Sequence, residues 1–230
     1  AAKFTVQETE FILSEGEWSD WVSVDFEAVP FLIHVGASAR FYLQDISPDF
    51  KLYVTPLQID PAKPALPVST PDDWSAEITD SIGRFYTQEL PEDTKAYQEG
   101  IFSGREFWEQ SQFVYREQRL ALNHMLESFD DGLLFFYFSS VDQGTHMLFH
   151  YMDPDHPIHE EDELLATGIP TLYEEMDGVL GQLLEFIEQD DRETTLMVMS
   201  DHGFSPFYWG VNLNSWLLEK GYVTLRDPSR

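Results

Sequence analysis

Residues Leu133 to His146 read LLFFYFSSVDQGTH, and this stretch decides the fold expected of the chain. Six large apolar residues, Leu133 to Phe138, end at two serines, and Asp142 and His146 follow four positions apart. The design recurs downstream: Thr194 to Met199 (TTLMVM) runs straight into Ser200-Asp201-His202-Gly203. Short continuous apolar runs with polar breaks predict buried strands of a parallel sheet, hence an α/β fold. Ligands of open α/β sheets gather at the carboxyl ends of the strands. Two Asp/His pairs are therefore expected at one crevice.

The segment between the two runs predicts a helix over Thr171 to Gln189. Leu172, Tyr173, Met176, Val179, Leu180, Leu183, Leu184 and Ile187 keep a helical period, and Pro170 with Thr171 and Glu174 marks the start. Strand, helix and strand together predict a right-handed β–α–β crossover. Upstream, Ser103-Gly104-Arg105-Glu106 has the form of a capping box opening the longest helix, with Phe107, Val114 and Ala121 spaced by seven and Gly132 near the stop. Asn212 to Lys220 predicts a short helix and Tyr222 to Leu225 a strand.

The N-terminal stretch has a different character. Short β-branched or aromatic runs at Phe4 to Glu10, Trp21 to Phe26, Phe31 to Val35, Phe41 to Asp45 and Leu52 to Thr55 alternate with turn-formers at 14–16, 36–38 and 47–49. They predict antiparallel hairpins, with His34 a sheet histidine. Pro56, Pro61, Pro64, Pro67 and Pro71 form a connector, after which Asp72 or Asp73 caps a short helix to about Ile82. The expected organisation is a β-rich antiparallel subdomain over 1–62, a Pro-rich connector with a short helix over 63–83, and an α/β portion over 84–230.

The chain of 230 residues carries 42 acidic against 13 basic side chains, a formal charge of −29. Such a surface repels phosphate backbones, which argues against binding duplex nucleic acid. There is no cysteine, so thiolate metal sites and disulfides are excluded. No apolar run reaches transmembrane length. The opening Ala-Ala-Lys without methionine and the polar RDPSR end suggest an interior piece of a longer protein.

Asp142 and His146, on a turn or first helical turn, lie on one side and can share a cation. Asp201 and His202 are neighbours whose side chains diverge, which suits a bridging position. Mixed carboxylate and imidazole donors suit zinc, manganese or iron. Two metals about 3.5–4 Å apart stabilise the attacking and leaving oxygens of a phosphoryl displacement. The rival reading makes Asp201 a turn cap and His202 structural. His150, His156 and His159 with Asp153 and Asp155 form a second cluster, which could be a separate metal site but reads better as a rim or lid of the site or as a solvated acidic loop. His124 reads as an ordinary helix residue.

VDQGTH followed by SDHGF resembles the type I phosphodiesterase/nucleotide pyrophosphatase branch of the alkaline phosphatase superfamily, as do MLFHYMDPDHP and VNLNSWLLEKGYV. The resemblance covers about 84–230. It implies a partial alkaline-phosphatase-like sheet with flanking helices and two divalent metal ions, zinc first among them. Asp142 and His146 match ligands of one ion, Asp201 and His202 ligands of the other. It further implies hydrolysis of phosphodiester or pyrophosphate bonds in a small phosphorylated substrate such as a nucleotide. The chain departs from the family pattern at three points. No motif for the further metal-binding Asp or for the Thr/Ser nucleophile is found, Thr70 lying in Pro-rich surroundings. His202 is the last histidine, so the family's later metal-binding His has no counterpart. A fragment inactive alone is the corresponding expectation. Two alternatives stand beside it: another superfamily chemistry, a phosphomutase or sulfatase, and a catalytically inert binding module.

Overall fold

The structure is a computed structural model and describes residues 1–29, 33–88 and 91–227, leaving aside the side chains of 28, 29, 33 and 34. It divides into two compact units, Ala1–Gln143 and Gly144–Arg230. All strands among the described residues fall within the first 59 positions.

In the first unit, β1 (Ala2–Val6) pairs antiparallel with β2 (Thr9–Leu13). Strands β3 (Glu17–Trp18), β6 (Phe41–Asp45) and β7 (Lys51–Val54) form a second sheet in the order β3-β6-β7. Strands β4 (Val22–Val29), β5 (Ile33–Ala39) and β8 (Gln58–Ile59) form a third in the order β4-β5-β8. All pairings are antiparallel, as the close spacing of the runs predicts. Leu13, Val22, Ala39, Phe41 and Leu43 make the core, with Phe4, Val6, Phe11 and Leu52 packed against it.

The expected turns shift in two places. Phe4 to Glu10 is a hairpin rather than one strand, because Gln7 takes positive φ (52°) and reverses the chain. Residues 36–38 lie inside β5 rather than in a turn. Their small side chains suit a crowded position: Ala37 and Ser38 are buried and paired with Ile59 and Gln58. The strand predicted over Phe31 to Val35 lies partly outside the described residues, as does the side chain of His34.

Helices α1 (Trp74–Ile82) and α2 (Thr94–Gln98) pack on α3 (Gly104–Ser128). The capping box of α3 is formed as predicted. Ser103 Oγ accepts from the Glu106 N–H, and the Glu106 carboxylate accepts from the Ser103 N–H. Asp73 occupies the N-cap of α1 but makes no side-chain cap hydrogen bond. The sheets join α3 through Arg40. Its guanidinium pairs with Glu117 at 2.7 Å and lies over the rings of Trp21 and Phe113. Glu117 also accepts from Trp21 Nε1 at 2.9 Å. Burial nevertheless pushes the Glu117 carboxyl up, outweighing the cation beside it.

The sequence reading is corrected at its starting point. Leu133 to Phe138 and Thr194 to Met199 form no strand among the described residues, and neither does Tyr222 to Leu225. No parallel pairing occurs there. Along 133–138 burial alternates with the period of an extended chain. Its outward face stays uncovered, with Leu133 89%, Phe135 70% and Tyr137 55% exposed. Met197, Val198 and Met199 are exposed as well. A run apolar on both faces becomes a buried strand only where neighbours pair both edges and cover both faces.

Helix α4 (Ser140–Met152) follows the first run and continues into the second unit. That unit also holds α5 (Glu163–Ala166), α6 (Gly168–Glu188) and α7 (Leu213–Glu219). Helix α6 starts three residues earlier than its Thr171 signal, with Pro170 in the first turn, where a missing N–H costs nothing. Helix α7 matches its prediction and is capped by Asn212, whose side chain accepts from the Ser215 N–H at 3.0 Å.

Candidate metal centre

The site begins at the start of α4. Ser139 stands just before the helix and its carbonyl accepts the Gln143 N–H at 3.0 Å. Both Ser139 and Ser140 are buried, and Glu92 is buried beside them at 1% exposure. Ser140 Oγ donates to Glu92 at 2.7 Å, and Ser139 Oγ donates to the same carboxylate at 2.9 Å. Burial raises the Glu92 carboxyl above its ordinary range. The serine hydroxyls work against that rise, and the charge of Asp142 adds to it.

One helical turn separates Asp142 from His146 along α4. Asp142 also accepts from Gln143 Nε2 at 2.7 Å. The sequence placed this pair on a turn or first helical turn. The structure makes it part of a helix of 13 residues.

Within the second unit, His146 meets His202. Their rings lie 5.6 Å apart, with ring nitrogens within 4.8 Å of one another. Phe204 completes the group, its ring 4.9 Å from His146 and 5.2 Å from His202, edge-on to both. His202 Nδ1 lies 3.1 Å from the Gly203 carbonyl. A carbonyl only accepts, so in this contact Nδ1 is the donor. Asp201 is 87% exposed at its side chain, and its carboxylate accepts from the His202 N–H at 3.1 Å. Its Oδ2 stands 3.8 Å from His202 Nε2, so the two neighbours do not diverge as their adjacency suggested. Phe204 was legible only as the last letter of SDHGF, and nothing in its type marks a role beside two imidazoles.

The second histidine cluster is tied together locally. His159 Nδ1 donates to the His150 carbonyl at 2.7 Å, and Tyr208 donates to Asp153 at 2.6 Å. The Tyr208 hydroxyl holds the Asp153 carboxyl below its usual range. His150 is buried, which lowers its pKa, and His156 packs edge-on to Tyr208. The loop is thus not simply solvated.

The family model for type I phosphodiesterase / nucleotide pyrophosphatase matches residues 40–229. The chain belongs to this family, whose members are hydrolases of the phosphodiesterase and nucleotide pyrophosphatase kind. The match begins inside the β-rich stretch, well upstream of the region where the motifs alone carried the resemblance. No curated protein and no solved structure matches the chain. Among the described residues no helix is long and apolar enough to cross a membrane.

Proposed function

We propose that this chain provides the metal-holding part of a hydrolase acting on a phosphodiester or pyrophosphate bond of a small phosphorylated substrate such as a nucleotide. The observation that carries the reading is His146, which has Asp142 one turn away on its own helix and the His202 ring beside it. Carboxylate and imidazole donors fit zinc first, with manganese and iron next. Asp142 and His146 hold one ion and Asp201 and His202 the other. When bound, such ions supply Lewis acidity to phosphoryl oxygens. The chain's own part is to present the donors. Helix α4 fixes the spacing of Asp142 and His146, the Gly203 carbonyl orients His202, and Phe204 lies against both imidazoles.

The test is anomalous diffraction at the zinc edge from zinc-soaked crystals, paired with hydrolysis of bis(p-nitrophenyl) phosphate in zinc-loaded and chelated protein. Peaks beside His146 and His202 with zinc-dependent release of nitrophenolate support the proposal. Zinc uptake without hydrolysis fits a metal-holding part without its Thr/Ser nucleophile; the same result in a longer chain that carries the nucleophile favours an inert binding module. Absence of both removes the reading.

A further inference from the structure

We infer that Glu92 is a positioning residue for the metal ligand Asp142, acting through Ser139 and Ser140. This rests on the metal-centre reading above. A glutamate at 1% exposure is costly to bury, and this one spends both carboxylate oxygens on two consecutive hydroxyls at the start of α4. Asp142 follows two residues later. The clamp is itself fixed from α3. Gln118 Nε2 donates to Ser139 Oγ at 3.0 Å. Gln110, 1% exposed, grips the backbone on both sides of Glu92, donating to the Pro91 carbonyl at 2.7 Å and accepting the Asp93 N–H at 2.9 Å. The longest helix thereby sets both the Glu92 backbone and the hydroxyl it holds. The first turn of α4, with Asp142 on it, inherits that placement. Partners behind a metal ligand commonly govern affinity in this way.

The experiment is a zinc titration by calorimetry on wild type, Glu92→Ala and Glu92→Gln, each at a temperature where circular dichroism shows it folded. Glu92→Ala is expected to weaken zinc binding about 10-fold or more, the range typical of such partners. Glu92→Gln, which keeps an acceptor for Ser140, is expected to restore most of the affinity that Glu92→Ala loses. A fold-only role would lower the melting temperature of Glu92→Ala and leave its zinc affinity at the wild-type value, and that result overturns the inference. If Glu92→Ala does not fold, Ser140→Ala decides. Weakened binding supports the clamp, and unchanged binding overturns it. Wild type that takes up no zinc overturns the metal centre itself, and this inference with it.

Discussion

A β-carbon placed on Gly144 would stand 2.6 Å from Leu172 Cδ1. Gly144 lies midway between Asp142 and His146 on α4, and Leu172 is fully buried on α6. The glycine of DQGTH is thus a close-packing residue between two helices. Gly144→Ala should gain up to about 1 kcal/mol of helix propensity and lose roughly 1–3 kcal/mol to overpacking. The expected net loss is about 1 kcal/mol, read by urea denaturation. A more stable variant would mean that Leu172 swings aside freely.

Phe204 touches both imidazoles of the candidate centre. Phe204→Ala should leave the secondary structure intact, since the residue belongs to no helix or strand. Zinc affinity should fall roughly 10-fold, because the rings lose the surface that fixes their orientation. A calorimetric titration giving the wild-type constant would reduce Phe204 to a bystander.

The raised Glu92 carboxyl gives a signed pH dependence. A carboxyl whose pKa is higher folded than unfolded keeps the folded state more protonated. Its contribution is complete below the ordinary value of 4.5 and is lost as pH rises through the folded value. Glu92→Gln removes that titration. The stability difference, Glu92→Gln minus wild type, should therefore grow in favour of the variant as pH rises above 4.5. Denaturation midpoints from pH 4 to about 8, the span over which such a group titrates, will show the slope. A flat difference would mean that Glu92 ionises as freely in the folded chain as in the unfolded one.

Arg40 and Glu117 are 14% and 13% exposed at their side chains and lie 2.7 Å apart. Arg40→Ala strips the cation from a carboxylate already disfavoured by burial, and the cost should be about 3 kcal/mol, the low end for breaking a buried pair. Glu117→Gln together with Arg40→Met should recover much of it, because a paired neutral replacement leaves no lone charge. Thermal melts of the two variants will separate these cases.

The elements legible in the sequence were those whose signals are local. The Ser103…Glu106 box, the heptad-spaced face of α3 and the Asn212 cap each specify structure within a few residues, and each is formed. The antiparallel strands followed from their close spacing for the same reason. What escaped depends on distant partners. Leu133 to Phe138 reads as a buried strand because its residues are apolar, yet a ladder needs backbone from elsewhere, and the described residues provide none. Glu92 escaped altogether. One glutamate in ELPED carries no sign that Ser139 and Ser140, 47 and 48 positions on, will enclose it. The Asp142…His146 spacing was readable as a shared face, whereas the meeting of His146 with His202 was expected at the ends of two strands, and neither strand forms.

The uncovered side of Leu133, Phe135 and Tyr137 has a colloidal consequence. With a formal charge of −29, copies of this chain repel one another at neutral pH, and that repulsion opposes contact between their apolar strips. The repulsion is not uniform across conditions. It fades as acid brings the chain toward its isoelectric point near 4.2, and salt shortens its reach to about 10 Å at 0.1 M. Acid or added salt should therefore favour contact between the uncovered apolar strips of separate copies.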